Sequence, residues 1–356
     1  MKQLLTISTC VLAALAPMCA RPCTSAIISG SLTPDGKPIL WKNRDTSASD
    51  NKVEYMAPQH PGELAYVALF NAADTRCEQA WIGMNECGFA VMNTASYNLK
   101  TDDVPAADMD REGYVMAHAL RHCRTVDDFA HLLENLPKPL GVEANFGVID
   151  AQGNGAYFEC DNYRSTRFDL ADAPDGVMVR TNYSHSGRKG EGYGQIRERN
   201  ALHLLAPYIE AGRIEPYTLT DVLSCSFYHD LYGRDMSAGG QRYLVDQDFI
   251  PRFTTTATVA IEGGVMWTAI GYPPVAEVTP VWCAPGGVHP DLRGTEPDGT
   301  CRAGNQAKER KAKVFSVRDG NRNRYVDLNA LLSPDGQGYM QVLRRQNRQT
   351  YDKFHR

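Results

Sequence analysis

The chain has 356 residues, 43% of them hydrophobic and 22% charged, with a formal net charge of −5. This near-average globular composition excludes a collagen repeat, wholesale disorder and a multi-span membrane protein. With no basic excess to displace counterions, nucleic acid is excluded as the main partner.

The first residues read as a targeting segment. Met1-Lys2 gives a positive start, Leu4 to Ala16 is an uncharged apolar run, and Pro17-Met18-Cys19-Ala20 follows. The run is too short to span a bilayer, which takes about 20 residues, and matches a secretory signal peptide over residues 1–20. Ala20 suits the cut, although Ala14 and Ala16 fit the small-residue rule better than Met18 does. A cut after Ala20 leaves Arg21-Pro22 as a two-residue pro-segment before a single domain, residues 23–356. The expected location is secreted or periplasmic, without a membrane anchor.

Eight cysteines remain beyond the signal peptide: Cys23, Cys77, Cys87, Cys123, Cys160, Cys225, Cys283 and Cys301. Disulfides persist outside the cytosol, and Cys283 and Cys301 flank a Gly/Pro-rich loop that a bridge could close. No Cys-x-x-Cys pair exists, which excludes a zinc ribbon and a thioredoxin-type motif.

In chain order, Thr24 to Gly30 predicts a strand. A Pro34-Asp35-Gly36 turn follows, and Lys37 to Asn43 returns as a second strand. Strands follow at 64–70, 80–84 and 88–93. Helices are expected at 114–122 and 126–136, the second capped by Thr125. Strands return at 145–149, 156–160 and 177–181, then helices near 196–208 and 219–224, and strands at 254–261 and 265–271. A loop from Cys283 to Gly304 precedes C-terminal helices. Residues 305–356 hold 12 basic and 5 acidic side chains, read as the solvated face of an amphipathic helix. Strands and helices come in blocks instead of alternating, which predicts α+β layers.

Position singles out Cys23, three residues past Ala20 and directly before the first strand. At a mature N-terminus it would carry both a thiol and an α-amine, whose pKa of about 7.7–8.0 makes it a base at working pH. The amine can take the thiol proton with no histidine involved. With a four-residue turn at Thr33–Gly36, Cys23 opposes Thr46, and the returning strand ends at the nucleophile. Asp45 can then hold the α-ammonium, while Lys42 and Arg44 supply positive charge that favours the thiolate.

Cys23-Thr24-Ser25-Ala26-Ile27, the Asp35-Gly36 turn and Lys42-Asn43-Arg44-Asp45 resemble the opening of the N-terminal-nucleophile (Ntn) hydrolases. The resemblance is to the choloylglycine hydrolase and penicillin V acylase group and its acyl-CoA:6-aminopenicillanate acyltransferase relatives. Lys42 stands where that family has Arg, which keeps the charge but loses the planar fork. Asn85-Glu86-Cys87-Gly88 and the strand to Asn93 resemble a second block, and Thr181-Asn182 a third. The family's late Arg before Phe has a candidate in Arg252-Phe253, not carried over because its flanking residues do not fit.

The resemblance implies a four-layer αββα sandwich of two antiparallel sheets between helices, and cleavage of a linear amide C–N bond. Cys23 would be the nucleophile, Asp45 and Lys42 would attend it, and Asn93 and Asn182 would hold the oxyanion. A thioester acyl-enzyme would be resolved by water, with neither metal nor organic cofactor. The implied substrate is a small N-acyl amide: a bile-salt conjugate, an N-acyl amino acid, a penicillin-V-like side chain, an N-acyl homoserine lactone or a short peptide. Family members are often oligomers, which implies a homo-oligomer here. Arg21-Pro22 would leave by self-cleavage at Pro22-Cys23 or through an Xaa-Pro dipeptidyl peptidase.

Rival readings are an acyltransferase or dipeptidase on the same scaffold, or an inactive secreted binding protein. His118 and His122 have an i, i+4 spacing that can bind zinc, but the Glu of His-Glu-x-x-His is missing, so a structural pair is expected. A Cys-His protease using Cys123 or Cys225 with His229-Asp230 has no local support. Trp81, Tyr97, Phe70 and Met92 are read as core and strand residues before they are read as an acyl pocket.

Overall fold

β1 (Thr24–Ile28) and β2 (Ile39–Asp45) pair antiparallel with every residue buried. The computed structural model describes residues 23–101, 103–318 and 324–355. The signal peptide expected over residues 1–20 and the Arg21-Pro22 segment lie outside them. The register differs from the four-residue-turn expectation: Thr24 faces Asn43 and Ile28 faces Ile39. The connection is longer because Gly30–Leu32 forms a 3-10 turn capped by the Ser29 side chain. Thr33 Oγ1 then closes the loop by donating to Lys37 O at 2.8 Å. This puts Cys23 level with Arg44 instead of Thr46. The slip is by an even number of residues, so no side chain changes face.

Side-chain alternation sorts the hairpin into two faces. Ile27 and Leu40 enter the layer between the sheets, whereas Ala26, Ile28, Ile39 and Trp41 pack towards helices. The chain then builds the second sheet from β3 (Asn51–Met56), β4 (Tyr66–Asn71), β5 (Ile82–Asn85) and β6 (Ala90–Ala95). Helices α1 (Glu112–His122) and α2 (Val126–Asn135) interrupt it, the second with the expected Thr125 cap completed by Asp128. β7 (Ala144–Ile149), β8 (Gly155–Cys160) and β9 (Ser165–Asp169) complete a seven-stranded sheet in sequential order.

β10 (Val177–Arg180) returns to the first sheet beside β1 and leads into α3 (Gln195–Glu210). Where a helix was expected at 219–224, Thr218–Leu223 forms a π-helical turn. β11 (Tyr228–His229) and β12 (Arg234–Asp235) make a short ribbon, and β13 (Tyr243–Val245) begins a small separate sheet. β14 (Thr255–Glu262), β15 (Val265–Ile270) and β16 (Thr279–Trp282) finish the first sheet in the order β10-β1-β2-β14-β15-β16. α4 (Arg302–Val314), β17 (Val317–Arg318), β18 (Arg324–Asp327), α5 (Leu328–Leu331) and α6 (Tyr339–Phe354) follow.

Three cores define four layers. Phe89, Phe146 and Phe158 of the second sheet pack on Met116, Leu120 and Phe129 of α1 and α2. Ile27, Leu40 and Val259 meet Val67, Ile82 and Met92 between the sheets. Trp41, Val179 and Ala260 meet Ala201 and Leu205 of α3. The expected αββα arrangement of two antiparallel sheets between helices is the one observed.

Candidate active site

Cys23 immediately precedes β1, on the same strand parity as Ser25, whose hydroxyl meets Tyr157 of the opposite sheet at 2.9 Å. The thiol is almost enclosed and lies against the Asp45 backbone, 3.5 Å from the Asp45 N–H that donates to it and 3.6 Å from the Asp45 carbonyl. The return strand does end at Cys23.

Arg197, in the first turn of α3, was not among the expected site residues. Fully buried, it donates from Nη1 to Cys23 O and, at 2.9 Å, to Thr24 Oγ1, while Nη2 reaches Asn182 Oδ1 at 2.9 Å. Burial, and then the like charge of Arg252, push its pKa down to about 9, so it stays a cation at neutral pH. Gly194 makes room for it. With φ at 99°, a Cβ there would be strained, and it would lie 2.2 Å from Arg197 Nη2.

Asp45 is buried, and its two oxygens accept from Arg252 Nη2 and Thr255 Oγ1. A bulge between Thr255 and Ala257 of β14 sets Thr255 opposite Asp45, a common use of bulges beside reactive sites. The Arg-Phe pair set aside on its flanking residues therefore supplies the guanidinium on the Asp45 carboxylate. Nearby, burial raises the Asp246 pKa to about 6 and lowers that of Lys311 to about 8.

Lys42 points between the sheets, where its Nζ donates to Trp81 O and to Asn93 Oδ1, both at 2.8 Å. Desolvation lowers its pKa to about 7 against the opposing pull of Cys23, so its charge is only partial at neutral pH. Arg44 turns to Asn71 Oδ1 at 2.8 Å and stacks over Trp81 at 4.8 Å. An ammonium only donates, so it must face the oxygen of Asn93 and leave the amide nitrogen pointing elsewhere. That nitrogen has no partner among the described residues. Asn182, wholly buried, donates Nδ2 to Ala95 O at 2.7 Å and accepts from Arg197, which braces β6 against the guanidinium.

Other expectations fall away from the site. Asn85 caps the β5–β6 turn by accepting from Cys87 and Phe89 N–H, and Gly88 at φ 82° completes that turn. The eight described cysteines are free thiols, so Cys283 and Cys301 form no bridge. Cys301 instead caps α4 through Gly304 N–H. Burial raises the Cys123 and Cys225 thiols to about 12, and among the described residues neither is hydrogen-bonded to His229. The His118 and His122 rings lie 4.5 Å apart, tilted by 53°, with no metal-binding cluster among the described residues. Phe70 and Met92 are core, whereas Tyr97 meets Tyr193 at 5.6 Å at the rim of a cleft beside Arg197.

Residues 31–200 match the family model described as acyl-coenzyme A:6-aminopenicillanic acid acyl-transferase. No curated protein matches the chain in sequence. Among solved structures, the chain is similar to a Caenorhabditis elegans ortholog of N-acylethanolamine-hydrolyzing acid amidase. There the identity is 13% over 67% of this chain and 92% of that one, with a TM-score of 0.44. It is also similar to a mutant conjugated bile acid hydrolase from Clostridium perfringens, at 14% identity over 73% and 92%, TM-score 0.46. Penicillin V acylase from Agrobacterium tumefaciens gives 12% identity over 73% and 86%, TM-score 0.38.

Proposed function

We propose, for a chain whose residues 31–200 match the acyl-coenzyme A:6-aminopenicillanic acid acyl-transferase family model, that Cys23 acts as an N-terminal nucleophile and cleaves a linear amide through a thioester. The observation that carries this reading is the thiol of Cys23 seated on the Asp45 backbone, directly before β1, with Arg252 and Thr255 holding the Asp45 carboxylate. Removal of residues 1–22, begun by export through the signal segment, exposes an α-amine on the residue that holds the nucleophile. The amine accepts the thiol proton and Sγ attacks the amide carbon. Asn93 Nδ2 donates to the developing oxyanion, where the loss of one such donor commonly costs about 10²–10³ in rate. The tetrahedral species collapses, the α-ammonium returns its proton to the departing amine, and the acyl group stays on sulfur. Water activated by the same amine releases the acid. A second amine in place of water would make the same centre an acyltransferase.

The test is mass spectrometry of the secreted chain before and after mixing with an N-acyl amide. A mature chain starting at Cys23, with a transient acyl adduct on that residue, is expected. An active chain that keeps Arg21 or any earlier residue refutes the mechanism. Parallel assays with and without an added amine acceptor separate hydrolysis from acyl transfer.

A further inference from the structure

Thr255 carries more of the site than its bond to Asp45. Its Oγ1 donates to the Asp45 carboxylate and accepts from Arg252 N–H at 2.9 Å, while its own N–H returns to Arg252 O at 2.8 Å. Residues 252–255 therefore form one closed turn, and both partners of the Asp45 carboxylate move with it. The turn runs into β14 where the ladder to β2 slips between Thr255 and Ala257. At such a slip strand pairing is interrupted, and backbone carbonyls take donors from outside the ladder. Thr256 O accepts from Gly271 N–H at 2.7 Å and from Asn51 Nδ2 at 3.1 Å. Thr255 O accepts from Lys311 Nζ at 3.2 Å.

Lys311 comes from α4, 56 residues further along the chain and outside the segment that matches the family model. Its helix is anchored, with Ala307 and Val314 buried and Lys308 paired to Asp50 at 3.0 Å. Its ammonium lies 4.6 Å from the ring centre of Phe253, the residue after Arg252, where the ring face attracts a cation. Asp246 Oδ2 holds the N–H of the same Phe253 at 2.9 Å, so the turn is gripped from two sides. Burial lowers the Lys311 pKa to about 8, against the pull of Asp246 and Asp45 and with the like charges of Arg324 and Lys308. Lys311 is thus mostly a cation at neutral pH, and a charged donor makes the stronger hydrogen bond.

We propose that Lys311 is a positioning residue for the Cys23 thiol. It fixes the Thr255 carbonyl, Thr255 fixes the Asp45 carboxylate, and the Asp45 N–H meets Cys23 Sγ at 3.5 Å. Lys311 touches no reacting atom. The proposal deepens the amide-cleaving reading above and rests on it only where turnover is measured. A lysine that merely fastened α4 to the sheet would change stability and leave the reactivity of the thiol alone.

The experiment measures two rates on the mature chain: alkylation of Cys23 by iodoacetamide, read by peptide mass spectrometry, and turnover of an N-acyl-para-nitroanilide. Lys311→Met is expected to slow alkylation and kcat by about tenfold each, because a lost charged donor lets the reacting geometry drift. KM is expected to stay within about twofold. Lys311→Arg, which keeps a charged donor, is expected to restore most of both rates. Lys308→Met, one turn earlier on α4, is expected to leave them as in the wild type. In a Thr255→Val background, Lys311→Met is expected to add less than about twofold, since the two side chains act along one route. Wild-type rates in Lys311→Met, an effect carried by KM, an arginine variant as slow as the methionine one, or a full loss in the Thr255→Val background overturns the proposal. Lys311→Gln, one bond shorter than lysine, carries the test if the methionine variant does not fold: alkylation several-fold slower is expected, and a wild-type rate overturns it. Alkylation that depends on Lys311 in a chain that cleaves no amide keeps the positioning role and sinks the hydrolase. Amide cleavage indifferent to Lys311 does the reverse.

Discussion

Lys42→Met tests the electrostatics of the layer between the sheets. Burial takes the Lys42 pKa from 10.5 to about 7, which disfavours its charged form in the folded chain by on the order of 5 kcal/mol. Below pH 7 the lysine is charged folded and unfolded, and folding bears the whole cost. Between about 7 and 10.5 the unfolded chain holds a proton that the folded chain has released, so stability climbs with pH. Above that window the cost is gone. Methionine has no such titration. Its loss of the donors to Trp81 O and Asn93 Oδ1 is a constant across the window. Titrating groups remote from Lys42 are common to both proteins and cancel in the difference, leaving only those coupled to it, Cys23 first, to modify the slope. Urea unfolding at closely spaced pH values should therefore show the wild type gaining on the variant by about 3 kcal/mol between pH 7 and 9.5. Difference curves that stay flat across that range refute the argument.

Three further outcomes are expected. Asp45→Asn leaves the Arg252 guanidinium without its carboxylate, and Arg252→Ala strands the carboxylate. Each should cost about 3–5 kcal/mol in urea unfolding, with the double variant well short of the sum; additive losses would mean that the pair is not coupled. Gly194→Ala combines φ strain with a Cβ set against Arg197 Nη2. It should lose more stability and activity than Gly212→Ala, where φ is 58° but the space is open, and equal losses would exclude the clash. Burial raises Glu112, Glu143 and Glu198 to about 7, Asp221 to about 6 and Glu262 to about 9. With Asp246 these groups hold protons in the folded chain that the unfolded chain has lost above about pH 4.5, so stability should fall as pH rises from 5 to 7.5. His118 and His185, pushed below their usual value, oppose this with fewer groups. A thermal midpoint that rises over this interval contradicts the sign.

What could be read from the chain was what is local in it. The β1–β2 hairpin joins neighbouring segments, so turn chemistry and apolar runs brought Cys23 and Asp45 together even though the register was two residues off. That error came from Gly30–Leu32, where a short 3-10 turn leaves no periodicity to see. Thr125 announced its helix because a cap acts within one turn. Arg197 and Arg252 gave no such signal. One sits in a polar helix start and the other in an irregular loop, and each meets the hairpin only through the pairing of β2 with β14 and the packing of α3 on the first sheet.

The same distinction bears on the lysine that replaces the family arginine. Alone in the sequence, Lys42 reads as a weakened version of a permanent cation beside the thiol. In the fold it spans the gap to Trp81 and Asn93, and desolvation leaves it half-discharged near neutral pH. The two permanent cations come from the opposite side: Arg197 on the Cys23 carbonyl and Arg252 on the Asp45 carboxylate. The pH dependence of catalysis should separate the two sources of charge. If the ammonium of Lys42 is what favours the thiolate, kcat/KM falls as pH passes about 7, and Lys42→Arg, which cannot discharge, removes that limb. If the guanidiniums suffice, the Lys42→Arg profile superimposes on the wild type above pH 7, and Lys42 serves only to orient the Asn93 amide.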